Sequence, residues 1–241
     1  MLTLMWIKIC ANTNLADAQF ATELGASAVG FVFAPSKRQV SPAQVGAITA
    51  ALPPSVEKIG VFPVSTAAEI IEAVEIAGLT GVQLHGDPNP ELITSLHAAF
   101  GGSIRLIQVV GFAAGSAVGG DAESSFRAAL RLACSQPGLD AVLLDAAKDG
   151  ISGGLGIAFD WSRAAAVVEQ IFAGQPTRLK LIVAGGLKSE NVRQAIAVFH
   201  PYGVDVASGV EMAGEPGKKD PSRLREFLAA ARGSSYGRDD S

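Results

Sequence analysis

Two kinds of apolar segment alternate along the chain. Short runs rich in Val, Ile and Phe occupy residues 5–10, 28–33, 58–62, 81–84, 105–110, 141–145, 180–183 and 204–206. Their length and β-branched content predict buried strands. Between and after them lie longer Ala- and Leu-rich stretches with apolar residues at helical spacing, over 15–24, 42–50, 67–77, 90–99, 122–134, 160–172, 189–199 and 221–231. Ser41 before Pro42 reads as an N-cap followed by a proline at the first helical position, and Asp220 before Pro221 repeats the signal. The strands recur roughly every 30 residues, the size of one βα unit.

Eight such units predict an α/β fold: a (β/α)8 TIM barrel in a single domain over residues 1–232, followed by a Gly/Ser/Asp-rich flexible tail over 233–241. The structural alternative is an open doubly wound sheet. The count of eight repeats and the lack of a nucleotide fingerprint after the first strand favour the barrel.

Composition narrows the function classes. The 241 residues are 49% hydrophobic and 17% charged, which excludes a disordered chain. The formal net charge of -4, with no basic block, argues against nucleic acid as the partner. No apolar run reaches the roughly 18 residues of a membrane span. The N-terminal stretch MLTLMWIKICANTN turns polar too soon for a signal peptide. Two cysteines, Cys10 and Cys134, form neither a disulfide framework nor a thiolate metal site, so a cytoplasmic location is expected.

In a barrel of this kind the active site lies at the C-terminal ends of the strands. Reading those ends in order gives Cys10, a loop with Ser36 and Arg38, Phe62, His85, Gln108, Asp145, Gly185–Gly186 and Ser208–Gly209. The turns AGGL (184–187) and ASGV (207–210) follow the last two strands, where barrels often bind phosphate through backbone amides and a short helix. Asn191 and the helix after it are expected to add to that site. Cys10 closes the first strand, where a thiolate serves as base or nucleophile, whereas Cys134 lies in a helical run and reads as packing. Asp145 closes the apolar run AVLLD, a costly place for a carboxylate without a function or a partner. Residues 146–156, AAKDGISGGLG, read as a mobile lid, with Lys148 and Asp149 as solvated loop charges, and residues 111–120 as a flexible loop. Arg38 suits a carboxylate clamp, with Lys37 beside it on the surface. His85 suits an acid, a base or a hydrogen-bonding wall. A thiol base facing a carboxylic acid fits proton abstraction from carbon with protonation of a nearby oxygen, as in an aldose–ketose isomerisation. No metal-ligand cluster and no cofactor motif appears.

These residues and their surroundings resemble the phosphoribosylanthranilate isomerases of tryptophan biosynthesis. The resemblance is carried by KICANTN (8–14), GFVFAPSKRQV (30–40), IGVF (59–62), VQLHG (82–86), LLDA (143–146), GGLGIAFDW (153–161), VAGGLKSENV (183–192), GVDVASGVE (203–211) and GKKD (217–220), in order along nearly the whole chain. It implies a cofactor-free Amadori rearrangement of a small phosphorylated substrate, catalysed by a monomer or homodimer that binds neither nucleic acid nor membrane. It implies that Asp145 protonates the furanose oxygen and that Cys10 removes the C2 proton. Arg38 would hold the anthranilate carboxylate, and Gly185, Gly186, Ser208 and Gly209 would bind phosphate. The chain departs from the family pattern at Ala11, where Gly is usual, at Leu155 for Thr, at Ala207 for Ser, and in having Pro63 after Phe62. Ala11 is expected to crowd its loop unless its φ is negative. The competing readings are a barrel of different specificity and a non-catalytic barrel that binds a phosphorylated sugar ligand. A histidine-pathway isomerase would need an aspartate where Cys10 stands, and an epimerase would need metal ligands or paired aspartates.

Overall fold

The computed structural model describes residues 5–63, 65–112, 120–145, 161–173 and 179–233. The eight apolar runs form eight parallel strands: Trp6–Ile9 (β1), Ala28–Val32 (β2), Glu57–Phe62 (β3), Gly81–Leu84 (β4), Arg105–Gly111 (β5), Ala141–Asp145 (β6), Lys180–Ala184 (β7) and Gly203–Val206 (β8). Each pairs with the next, and β8 closes on β1 through the register Trp6↔Gly203, Ile7↔Val204, Lys8↔Asp205 and Ile9↔Val206. The barrel is thus closed, and the open-sheet alternative is discarded.

Helices alternate with the strands: Leu15–Glu23 (α1), Pro42–Thr49 (α2), Ala67–Ala77 (α3), Pro90–Phe100 (α4), Gly120–Cys134 (α5), Trp161–Ala173 (α6), Val192–Phe199 (α7) and Pro221–Arg232 (α8). The expected caps form. Ser41 and Gln44 make a reciprocal capping box at α2, and Asp220 accepts from the amides of Ser222 and Arg223 at α8. The largest shift from the sequence-based boundaries is α7, expected from 189 and found from Val192. There Asn191 spends its side chain on the preceding turn, accepting from Lys188 N at 2.8 Å and donating to Gly186 O at 3.0 Å.

Strand alternation sorts the core into two layers. Outward-facing residues pack with the helices in one large cluster. Inward-facing residues form a second cluster that fills the barrel, with Trp6, Ala28, Ile59, Ile107, Val109, Ala141, Leu143, Ile182 and Ala184. The N-terminal face carries a polar–aromatic cluster. Glu57 takes a bidentate contact from Arg105 at 2.6 and 2.9 Å and a hydrogen bond from Trp6 Nε1 at 3.1 Å, and Tyr202 stacks on Trp6. No helix among the described residues is long and apolar enough to cross a membrane. Residues 146–156, expected to form a lid, with Lys148, Asp149 and Leu155, most of the loop after β5, and residues 234–241 lie outside the described residues.

Candidate active site

Cys10 follows β1 directly, and its amide donates to Val206 O of β8 at 2.8 Å. It shares the inward parity of Trp6 and Lys8, so its thiol points into the barrel mouth and is only 6% exposed. Asp145 ends β6 with the parity of Ala141 and Leu143, and is half-buried. It pairs in register with Ala184, directly before the Gly185–Gly186 turn. Around the closed ring β6 stands three strands from β1, so thiol and carboxyl enter the mouth from separate walls.

Ala11 has φ 60 and is 1% exposed. The crowding condition is therefore met, since the methyl sits in the left-handed region that favours glycine. The surrounding contacts hold it there. Asn12 N donates to Gly30 O at 2.9 Å, Asn12 Nδ2 donates to Ile9 O at 2.8 Å, and Lys219 Nζ donates to the Cys10 carbonyl at 2.5 Å. A left-handed alanine costs roughly 1–2 kcal/mol, which that network offsets.

Arg38 is half-buried and already engaged. Its Nε and Nη2 donate to the two oxygens of Glu211 at 2.8 and 2.7 Å. Glu211 also accepts from Gly217 N at 3.0 Å and lies 3.5 Å from Lys219 Nζ. Burial would push the Glu211 carboxyl up, but the Arg38 hydrogen bonds and the Lys219 charge outweigh it and hold the carboxyl below its ordinary value. Glu211 pairs with Lys219 in an antiparallel bridge, which folds the segment before α8 over the β1–α1 loop, where Thr13 donates to Gly217 O. The sequence reading missed Glu211 and Lys219 as site residues. The signal was two charges of opposite sign flanking a Gly-containing turn immediately after the last phosphate-type loop.

The two glycine turns lie against each other. Gly185 and Gly186 have φ 83 and 63. Ser208–Val210 forms one 3-10 turn, and a Cβ at Gly209 would collide with the carbonyl of Leu187 in the first turn. Among the described residues the amides of Gly186 and Gly209 donate to no other group. Ala207 offers no side-chain cap to the 3-10 turn.

Phe62 and Gln108, two members of the expected ring, face outward; Phe62 belongs to the outer core cluster and stacks on Phe33. Gln108 alternates with the inward Ile107 and Val109 and so faces the helical layer, where its amide donates to Gly86 O at 2.8 Å and Leu84 O at 3.3 Å. It braces the β4–α4 loop and does not line the mouth. His85 opens that loop, its amide on Phe62 O and its residue exposed. Cys134 is half-buried in α5 against the outer core, and burial pushes its thiol up to about 11, in keeping with packing. No group of three or more potential metal ligands is found among the described residues.

The sequence model of the family described as N-(5'phosphoribosyl)anthranilate (PRA) isomerase matches residues 7–230. This chain belongs to that family. It is 40% identical to the N-(5'-phosphoribosyl)anthranilate isomerase of Thermotoga neapolitana over 94% of this chain and 98% of the relative. It is 37% identical to that of Pelobacter propionicus over 94% and 95%. The crystal structure of phosphoribosyl anthranilate isomerase from Thermotoga maritima superposes with a TM-score of 0.76 at 37% identity, covering 95% of this chain and all of that one. A further isomerase structure, in complex with reduced 1-(o-carboxyphenylamino)-1-deoxyribulose 5-phosphate, matches with a TM-score of 0.73 at 35% identity, over 95% of this chain and 100% of that one. The sequence resemblance thus holds over the length of the barrel.

Proposed function

We propose that this chain isomerises N-(5'-phosphoribosyl)anthranilate to 1-(o-carboxyphenylamino)-1-deoxyribulose 5-phosphate, a step of tryptophan biosynthesis, without a cofactor. Family membership supports the reaction. The observation that carries the residue roles is the pairing of an inward thiol, Cys10, with an inward carboxyl, Asp145, across a mouth flanked by two glycine turns.

In this reading the Asp145 carboxyl donates its proton to the furanose ring oxygen. The C1–O bond breaks, the electron pair stays on oxygen, and the anilino nitrogen supplies the pair that makes the iminium at C1. The Cys10 thiolate then takes the C2 proton, and the C2–H pair becomes the C1=C2 bond of an enolamine while the iminium pair returns to nitrogen. Tautomerisation places a proton on C1 and leaves the ketone at C2. Each proton transfer supplies on the order of 10²–10⁴ in rate.

Binding residues follow from the same mouth. The amides of Gly185, Gly186, Ser208 and Gly209 hold the phosphate. Arg38 meets the anthranilate carboxylate with the guanidinium edge that Glu211 leaves uncovered. His85 stands at the rim as a wall. The substrate is the small-molecule partner of a monomer or homodimer acting in the cytoplasm. Complementation of a tryptophan auxotroph lacking this isomerase tests the proposal. Growth with the parent and loss of growth with Asp145→Asn is the expected outcome. Ligand binding without product formation would instead assign a sensor.

A further inference from the structure

A charged cluster lies within the barrel, one layer beneath the Cys10 thiol. Lys8 is fully buried on β1, two residues before Cys10 and on the same inward face. Its ammonium donates to Asp205 Oδ2 of β8 at 3.0 Å and to Gln83 Oε1 of β4 at 2.9 Å. The other Asp205 oxygen has no partner among the described residues. Gly30 of β2 makes room for the arrangement. A Cβ there would stand 2.8 Å from Cys10 Sγ and 2.9 Å from Lys8 Cε, so thiol and lysine arm flank the same point.

A buried ammonium is costly, and the usual compensation is a single counter-ion. Here the counter-ion is Asp205, and the lysine arm also flanks a thiol that must become an anion to act as a base. We propose that Lys8 is a positioning residue for this reaction: its ammonium, fixed by Asp205 and Gln83, holds the negative charge that Cys10 carries as the base. The proposal rests on the reading of Cys10 as the base.

The other charges facing the thiol are Lys219, from the segment before α8, and Arg38, from the β2–α2 loop, the latter shared with Glu211. Asp145 stands three strands away, at the end of β6. Burial pushes the Cys10 thiol up. The charge of Lys8 opposes that push, with a further contribution from Lys219, while Asp205 adds to it, and the thiol stays above its ordinary value. Lys8 itself is pulled down by burial, but Asp205 and Cys10 more than reverse this, so it remains a cation at neutral pH.

The two members of the buried pair should therefore move the thiol in opposite directions, which a merely structural role would not do. The experiment is a titration of Cys10 by ultraviolet thiolate absorbance in a Cys134→Ala background, with Cys10→Ala as the blank, alongside the pH profile of kcat/KM. Asp205→Asn should move the midpoint down. Lys8→Met should move it up. Because Lys8→Met leaves a buried carboxylate unpaired and can fail to fold, Lys8→Met/Asp205→Asn removes both charges and should also move it up. The expected size is about one unit, or tenfold less thiolate at a given pH below the midpoint. The acid limb of kcat/KM should follow the same order. Midpoints that stay in place, or move in one direction for both residues, would overturn the role of Lys8. A parent that titrates as expected yet turns over no substrate would overturn the isomerase reading instead, leaving the electrostatic assignment standing.

Discussion

Gly186 and Gly209 belong to the same candidate phosphate site, yet the chain needs glycine at each for a different reason. Gly186 has φ 63 and open space around the position of a Cβ. Alanine there would cost about 1–2 kcal/mol of left-handed strain, offset by about 0.4–1 kcal/mol from a less flexible unfolded chain. The net loss is about 1 kcal/mol. Gly209 has no positive φ, but its Cβ would fall on the backbone oxygen of Leu187, in the neighbouring turn. A carbonyl cannot rotate away as a side-chain tip can, so Gly209→Ala must push the two turns apart. The cost belongs at the upper end of overpacking, about 3 kcal/mol. For a chain of this size 1 kcal/mol moves the melting temperature by roughly 2–4 °C. Gly186→Ala should therefore melt within about 4 °C of the parent, and Gly209→Ala roughly 6–12 °C below it. Thermal unfolding by circular dichroism measures both. Since the turns carry the phosphate amides, Gly209→Ala should also raise KM and weaken inhibition by inorganic phosphate. Should Gly209→Ala melt with the parent and keep its KM, close approach of the turns does not shape the site.

The remaining expectations concern the proposed chemistry and its supporting charges. Cys10→Ala and Asp145→Asn should each lower kcat by at least about 100-fold in steady-state assays, and near-normal turnover in either would remove that residue from its role. Arg38→Ala should act mainly on KM, because a carboxylate clamp binds ground state and transition state alike; an unchanged KM would sink the clamp. Glu211→Gln should show a pH signature in urea unfolding. Its carboxyl is held below the ordinary 4.5, so the stabilisation is complete above that value and is lost as pH falls through the depressed one. The gap between parent and variant should be widest near neutrality and close on acidification. A gap independent of pH would mean that the Arg38 pair contributes no stability.

Much of the fold was legible because each element announces itself locally. Eight apolar runs, two Pro-marked helix starts and Gly-bearing turns need no long-range information. The helix α7 begins later than its apolar spacing predicts, because Asn191 organises the turn before it. Strand-end reading placed Cys10 and Asp145 in the mouth, but its register slipped at Phe62 and Gln108, where parity decides the facing and the strand end alone does not. The supporting charges were harder to see. Arg38 and Glu211 are 173 residues apart, and Lys8 and Asp205 are 197 apart. Period-two alternation through WIKIC still marks Lys8 as sharing the face of Cys10, and a lysine inside an apolar strand is the cue that such a face carries charge.

The hydrogen bond from Lys219 to the Cys10 carbonyl joins residues 209 positions apart. With the β8–β1 register beside it, the surroundings of Cys10 are completed only by the last part of the barrel to be synthesised. A growing chain that has laid down the first seven βα units holds the thiol but lacks Asp205, Glu211 and Lys219. Maturation of the thiol and closure of the ring are consequently one event, and thiol reactivity during refolding should serve as a reporter of the moment at which β8 docks.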